Sequence, residues 1–108
     1  MNILDNREKA IEAKFSREED FRFRVRARRN RLLGLWVAKA LRLDGENADN
    51  YADEVVAADM AFPGDDDVVQ KVMKDLNASG LHMDATSIKK EMRKLESKAR
   101  EQLAPSMK

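Results

Sequence analysis

The chain has 108 residues and a mass of 12.4 kDa, which is the size of a single domain. Charged residues make up 38% of the sequence and hydrophobic residues 43%, so a core can form but most of each element must face water. The absence of cysteine excludes a disulfide framework, a thiolate zinc site and a cysteine nucleophile. No apolar run approaches the ~20 residues that span a bilayer, and the opening residues lack the hydrophobic region of a signal peptide, so we expect a cytoplasmic protein.

The 21 basic and 20 acidic residues nearly cancel, but they are distributed unevenly. Residues 1–31 carry ten basic and six acidic side chains, and residues 84–108 carry seven basic and four acidic ones. Residues 44–75, in contrast, carry two basic and ten acidic side chains. The simplest place for this acidic stretch is beside a basic neighbour in the same domain.

Residues 1–15 have few apolar side chains with which to dock on a domain. On a helical wheel Leu4, Ile11 and Phe15 align, with Glu8 in the same stripe. An isolated helix of this length is marginal in water. We therefore expect the segment to be mobile when free and to become ordered on a partner that supplies apolar surface.

Residues 16–43 are predicted to form a long helix. Ser16 and Glu19 have the spacing of a capping box, so the helix is expected to begin near Ser16 and to stop before Gly45. Residues 21–28 alternate apolar and basic as a strand does, but the pattern becomes helical at Leu32 with no breaker between, and Arg and Ala are good helix formers. The expected core face consists of Phe21, Val25, Leu32, Trp36, Ala40 and Leu43.

Three further helices are predicted from apolar periodicity, over residues 46–62, over residues 66–78 and after Asp84. Asp65 and Asp84 are the expected N-caps of the last two. The three apolar stripes contain Ala48, Tyr51, Ala52, Val55, Val56 and Phe62, then Val68, Val69, Val72, Met73 and Leu76, then Ile88, Met92, Leu95, Ala99 and Leu103. Because the connecting loops are short, the predicted fold class is all-α, an antiparallel four-helix bundle with a mobile N-terminal segment.

Candidate catalytic and metal-binding residues are few. His82 is the only histidine and has no evident partner near it in sequence. The aspartates at 65–67 lack the ligand spacing of a calcium loop, and acidic residues in a first helical turn explain them. No glycine-rich phosphate loop is present. We therefore predict no catalytic residues, no metal and no enzyme activity.

Arginines are concentrated in residues 22–31. The simplest interpretation is a solvated face that pairs with the acidic residues of 44–75. The alternative is a small nucleic-acid-binding module, in which the Arg22–Arg31 cluster contacts phosphates and Phe21 and Phe23 stack on bases. The isoelectric point near 8.0 argues against the alternative.

Two stretches of the sequence resemble a known family. Residues 5–15 read Asp-Asn-Arg-Glu-Lys-Ala-Ile-Glu-Ala-Lys-Phe, and residues 27–36 read Ala-Arg-Arg-Asn-Arg-Leu-Leu-Gly-Leu-Trp. The chain resembles, over essentially its whole length, the zeta subunit of alpha-proteobacterial F-type ATP synthases. The second string is the more specific of the two, since such a run is rare by chance.

The resemblance implies a mobile inhibitory segment over residues 1–19 and a four-helix bundle over residues 20–108. The segment would enter an interface between the alpha and beta subunits of the catalytic head, beside the rotor gamma subunit, and block rotation in the hydrolysis direction. The resemblance also implies that the chain lies at the inner face of the membrane, because it is bound there to the synthase. It implies no required cofactor. Weak binding of ATP or ADP is implied as well, at residues that the resemblance does not specify. The apolar stripe and the family pattern together give the candidate partner-binding residues Leu4, Arg7, Glu8, Ile11, Lys14 and Phe15.

Overall fold

The computed structural model describes the backbone of residues 3–61 and 64–107 and the side chains of residues 17–59 and 64–105. Within these ranges the chain forms four α-helices and no strand. The helices are α1 (Ile3–Ala40), α2 (Gly45–Ala61), α3 (Asp65–Ala78) and α4 (Ala85–Leu103), and a 3-10 turn follows over Ala104–Met107. The predicted all-α, four-helix fold is confirmed, and residues 21–28 are helical despite their strand-like alternation.

The first helix is longer than predicted, because α1 begins at Ile3 instead of near Ser16. The expected start at Ser16 was therefore wrong. No glycine or proline lies between Ile3 and Gly34, so no residue type that breaks helical hydrogen bonding separates the two parts. The boundary between residues 19 and 20 and the mobility of the leading segment stay predictions, since the side chains of residues 1–16 lie outside the described residues.

The end of α1 also differs from the prediction, at Ala40 instead of Leu43. Arg42 adopts a φ of 62°, the left-handed conformation that commonly closes a helix. The Leu43 N–H then donates to the Ala38 carbonyl at 2.8 Å, as in a Schellman closure. An arginine in this conformation gives no glycine-like signal in the sequence, which explains the error.

One predicted N-cap is confirmed and the other was wrong. The Asp84 carboxylate accepts the Ser87 N–H at 2.8 Å, and this hydrogen bond lowers the pKa of Asp84. At α3 the cap position is Gly64, with φ 154° and no side-chain hydrogen bond, and Asp65 is the first helical residue. Instead of capping the helix, the Asp65 carboxylate binds Arg29 at 2.8 Å.

The predicted core stripes of α3 and α4 are confirmed. Their buried residues are Val68, Val69, Val72, Leu76, Ile88, Met92, Leu95 and Ala99, with Met73 and Leu103 partly buried. On α2 the buried apolar residues are Tyr51, Ala52 and Val55, with Ala48 and Val56 partly buried. The predicted core residue Phe62 lies outside the described residues.

The predicted core face of α1 was only partly right. Its buried apolar residues are Val25, Leu33, Val37 and Ala38. Of the other predicted residues, Phe21, Leu32, Trp36 and Leu43 are partly buried and Ala40 is exposed. The reason is that α1 packs against α2 on one side and α4 on another, so its apolar residues do not follow a single stripe.

The bundle is organised around α1, which contacts all three other helices. Helices α1 and α2 lie close together at Gly34, where an added Cβ would lie 2.6 Å from the Ala52 Cα, so glycine is what lets α2 lie this close. Neighbouring helices run antiparallel, as predicted. The paired residues are Arg26–Asp59 and Gly34–Ala52 across α1 and α2, and Arg28–Gln102 and Arg29–Glu96 across α1 and α4.

Candidate partner-binding surface

The six predicted partner-binding residues all fall within α1. Their positions, from residue 4 to residue 15, precede the part of the helix that enters the core. The side chains of Leu4, Arg7, Glu8, Ile11, Lys14 and Phe15 lie outside the described residues. Their role in binding a partner therefore stays a prediction.

The part of α1 that follows this segment is largely solvent-exposed. Of residues 17–24, only Phe21 is partly buried. Phe23 is 60% exposed, which is unusual for so large an apolar side chain, and it borders a shallow apolar recess of about 160 Å³ with Ala27 and Val56. Among the described side chains, burial on α1 begins at Val25.

From Arg26 onward, α1 is fastened to the bundle by a polar network centred on Asp59. Arg26 donates to both carboxylate oxygens, with Nε 2.6 Å from Oδ2 and Nη2 2.8 Å from Oδ1. Asn30 Nδ2 donates to Oδ2 at 2.9 Å, and the Gly64 N–H donates to Oδ1 at 3.4 Å. A single α2 carboxylate thus connects α1 to the start of α3.

Burial and hydrogen bonding shift the pKa of Asp59 in opposite directions, and the residue is only 8% exposed. Burial raises the pKa of this carboxyl, but the hydrogen bonds and charge of Arg26, with smaller contributions from Gly64 and Asn30, hold it below the usual aspartate value. The same contact raises the pKa of Arg26. Asp59 is therefore ionised at neutral pH and the pair is a true ion pair.

Arg29 extends the network to the other two helices. It is 4% exposed, and its Nη2 lies 3.0 Å from the Asn30 Oδ1 and 2.8 Å from the Asp65 Oδ1. Its Nη1 lies 3.4 Å from the Glu96 Oε1 on α4. No buried side-chain polar atom in the described part of the chain lacks a hydrogen-bond partner. The network is thus a satisfied structural element that joins all four helices.

The arginine cluster is used mainly within the chain, as the simpler interpretation of it predicted. Besides Arg26 and Arg29, Arg31 pairs with Asp53 at 2.8 Å and with Asp49 at 3.3 Å. Three of the six arginines thus pair with the acidic stretch 44–75. A phosphate-binding role for Arg26, Arg29 and Arg31 would require these arginines to exchange partners, and the nucleic-acid alternative stays a prediction.

Sequence reasoning did not identify Asn30 and Asp59 as the centre of this network. A weak signal exists, because Asn30 lies four residues after Arg26 and three before Leu33, in a helical register that leads into the core. For Asp59 there is no local signal, since its partner is 33 residues away.

With this geometry in place, a comparison with protein families decides the classification. A family model described as ATPase inhibitor subunit zeta matches residues 1–102. The chain belongs to this family. A comparison with curated proteins returns no match.

Membership of the zeta family gives the chain an inhibitory, regulatory role toward an ATPase and implies that it binds the ATP synthase. The match covers the leading segment and the bundle alike. It also confirms the family resemblance found in residues 5–15 and 27–36.

The described residues provide little for other chemistry. They contain no group of three or more His, Cys, Asp or Glu side chains arranged to hold a metal ion. His82 is exposed in the loop before α4, and the aspartates at 65–67 occupy the first turn of α3. No helix in the described part of the chain is long and apolar enough to cross a membrane. Weak binding of ATP or ADP stays a prediction.

Proposed function

We propose that this chain restrains ATP hydrolysis by the F-type ATP synthase and that residues 1–19 form the inhibitory part. The observation that carries the proposal is the family match, which spans residues 1–102. The burial pattern supports it, since the described side chains of α1 enter the core only from Val25 onward. Because α1 is continuous from Ile3, one helix joins the segment to the body.

In this mechanism the segment binds between an alpha and a beta subunit of the head, beside the gamma subunit. Leu4, Ile11 and Phe15 would fill apolar gaps between the subunits, while Arg7 and Lys14 would pair with acidic groups at the rim. A helix lodged there prevents the opening and closing of the catalytic interface that hydrolysis requires. Inhibition needs no chemistry from the chain, because preferential binding to one conformation of the interface is sufficient.

Two phenylalanines on the same helix provide a matched test. Phe15→Ser removes an apolar side chain from the segment, and Phe23→Ser removes an exposed one outside it. We expect Phe15→Ser to weaken inhibition of the purified ATPase by about tenfold or more, as loss of an interface aromatic does, and Phe23→Ser to leave it unchanged. Steady-state ATP hydrolysis with increasing amounts of each full-length variant measures the effect.

Circular dichroism and thermal unfolding show whether both variants retain the bundle. Deletion of residues 1–15 should abolish inhibition while the helical body remains folded. If the deletion variant inhibits as well as the full chain, the segment is not the inhibitory part.

A further inference from the structure

Helix α1 continues well beyond the core of the bundle. Its backbone is helical from Ile3, but among the described side chains burial begins only at Val25. Residues 17–24 come just before this point and are exposed, with only Phe21 partly buried. We call residues 17–24 the spacer, because they connect the candidate partner-binding residues, which end at Phe15, to the part of α1 that packs in the bundle.

The spacer is helical without the support of a core, so its own sequence must favour the helix. No glycine or proline occurs before Gly34. Glu18 lies four residues before Arg22, and Asp20 lies four residues before Arg24. Opposite charges in this order favour an exposed helix. A mostly charged helix with this spacing is typical of a solvent-exposed connection between two parts of a molecule, so the spacer has the composition of a stiff connection.

The bundle end of the spacer is held firmly. Immediately after it, Arg26 binds both carboxylate oxygens of Asp59 on α2, and Arg29 binds acidic side chains of α3 and α4. Further along, α1 packs closely on α2 at Gly34. These contacts involve all three other helices, so α1 cannot turn about its own axis within the bundle. A turn of the spacer is therefore a turn of the whole bundle.

We propose that the spacer is a rigid rod that fixes the rotation of the bundle, about the axis of α1, relative to the inhibitory segment. When residues 1–19 are bound in the catalytic head, the bundle then takes one orientation against the head. The spacer acts through its helical backbone, so a single side-chain change such as Phe23→Ser leaves its action intact. This inference rests on the proposed function, since it takes the insertion of residues 1–19 as given.

The bundle lies close enough to the segment for its orientation to matter. Val25 follows Phe15 by ten residues, which is about 15 Å of helix. Helix α1 contacts all three other helices, but Arg28 and Lys39 on its outer side are exposed, so the bundle lies to one side of the α1 axis. With the segment inserted, half a turn of the rod would bring the other three helices against a different part of the head. The rod thus selects the orientation in which the bundle fits.

Alanine insertions between Asp20 and Phe21 test the rod, because they keep residues 1–19 and the bundle intact. Each inserted residue turns the bundle by about 100° and moves it by about 1.5 Å. Two alanines turn it by about 200°, whereas seven turn it by about 700°, which is within about 20° of the original orientation. We expect two alanines to raise the concentration for half-maximal inhibition of the purified ATPase about tenfold, and seven to raise it less than about threefold.

The order of these two effects distinguishes rotation from distance. Seven alanines move the bundle by about 10.5 Å and two by about 3 Å, so an effect of distance alone would make the longer insertion the weaker inhibitor. Weaker or equal inhibition by the longer insertion would overturn the rod. Unchanged inhibition by both insertions would also overturn it, since the spacer would then be a flexible linker.

Two glycines at the same place are the matched control. The Gly-Gly insertion has the length of the Ala-Ala insertion but loosens the helix, because glycine is a poor helix former. We expect Gly-Gly to inhibit better than Ala-Ala, since the loosened joint lets the bundle turn back. Thermal unfolding monitored by circular dichroism shows whether both variants keep the bundle folded. If Gly-Gly inhibits no better than Ala-Ala, stiffness is not what misplaces the bundle, and the rod is overturned.

Distances in the free chain test the stiffness of the spacer without the ATPase. The sequence has no cysteine, so spin labels can be attached at two chosen positions, through Glu18→Cys and Lys39→Cys at exposed residues of α1. A continuous helix places the two Cα atoms about 32 Å apart, and we expect one narrow distance distribution near this value. The Gly-Gly insertion should broaden it. A broad distribution at shorter distances for the chain without the insertion would overturn the rod.

The outcomes also separate the rod from the proposed function. If the chain without insertions does not inhibit the ATPase, the proposed function fails, and the orienting role of the spacer fails with it. If that chain inhibits and deletion of residues 1–15 abolishes inhibition, but the insertions have no effect, only the rod fails.

Discussion

Asp59 illustrates how a charged side chain becomes part of a core. Its carboxylate accepts hydrogen bonds from Arg26, Asn30 and the Gly64 backbone, so its charge is compensated although the residue is buried. Removing the charge while keeping the shape leaves the Arg26 guanidinium without its nearest anion, and only Asp65, at 3.7 Å, remains. The consequence depends on pH, because only the ionised carboxylate binds Arg26 in this way.

We predict that Asp59→Asn lowers the free energy of unfolding by about 1–3 kcal/mol at neutral pH. Because the folded-state pKa of Asp59 is depressed, its stabilisation is present above the unfolded-state value near pH ~4 and is lost as pH falls through the folded-state value. The unfolding curves of the two proteins should therefore converge in acid. Urea unfolding over a pH series measures this, with the exposed Asp53→Asn expected to cost at most about 0.5 kcal/mol.

Tyr51 makes the stability of the fold depend on pH in the alkaline range, whereas Asp59 does so in acid. It is 7% exposed, and its hydroxyl donates to the Asp75 Oδ2 at 2.8 Å. Burial raises the pKa of the Tyr51 phenol, and the hydrogen bond to Asp75 raises it further. The phenol thus stays protonated in the fold at a pH where it ionises in the unfolded chain.

A raised folded-state pKa stabilises the fold fully below the unfolded-state value, and the stabilisation falls as pH rises above it. We predict that the unaltered chain loses stability above pH ~10 more steeply than Tyr51→Phe, which has no phenol to ionise. Lysine deprotonation affects both proteins and cancels in the comparison. Equal slopes for the two proteins in alkaline chemical unfolding would contradict the prediction.

At the scale of the helices, the pairing of α1 with α2 depends on Gly34. Glycine inside a helix costs about 1 kcal/mol relative to alanine, so Gly34→Ala would stabilise an isolated helix. In the bundle the new Cβ would lie 2.6 Å from the Ala52 Cα and 3.2 Å from its Cβ. Because the nearest atom is backbone, the two helices must move apart.

We therefore predict that Gly34→Ala destabilises the protein by about 1–3 kcal/mol, since overpacking outweighs the gain in helix propensity. Ser97→Ala on the exposed side of α4 is the control, and there propensity alone should give a small gain. Thermal unfolding monitored by circular dichroism compares the two. A gain in stability from Gly34→Ala would mean that the helices are not packed this closely.

The helices themselves differ in how well the sequence predicts them. The stripe of α4 was predicted correctly because this helix buries one face, and Asp84 supplies a clear start. On α1 the buried residues Leu33, Val37 and Ala38 depend on which sides α2 and α4 occupy, and the periodicity of one helix does not contain that information.

The candidate site, too, was predicted only in part, because some of its features follow from the local sequence and others from the tertiary fold. The uneven distribution of charge along the sequence predicted that the arginines of α1 contact the acidic residues of 44–75. The particular pairs, such as Arg26 with Asp59, join residues 33 positions apart and are fixed only by the tertiary fold.

At the scale of the whole molecule, charge is divided between the helices on either side of α1. Helix α2 has five acidic and no basic residues, while α4 has six basic and three acidic ones. The arginines of α1 pair mainly with the acidic side, and among the described residues Lys89 is the cation of α4 that forms an ion pair, with Asp66. The near-zero net charge of the chain therefore coexists with an acidic α2 and a basic α4.

Arg29 is the one described side chain that hydrogen-bonds to partners on both α3 and α4, so its replacement tests whether the bundle behaves as one unit. In Arg29→Lys the charge is kept, but a single ammonium group replaces the planar guanidinium that reaches Asn30, Asp65 and Glu96 together. We predict a loss of about 1–3 kcal/mol in the free energy of unfolding, because Arg29 and its partner Asn30 are buried and lose hydrogen bonds that lysine cannot restore. Amide hydrogen exchange should increase first at the start of α3 and the middle of α4, where these partners lie.

Arg31→Lys is the matched control for this change. The Arg31 side chain is 39% exposed and pairs with the exposed Asp49 and Asp53, so the substitution should cost at most about 0.5 kcal/mol. If Arg29→Lys and Arg31→Lys cost the same, the network around Arg29 is no stronger than a surface ion pair. The four helices would then be held together by the apolar core alone, and the polar network would only set which residues face each other.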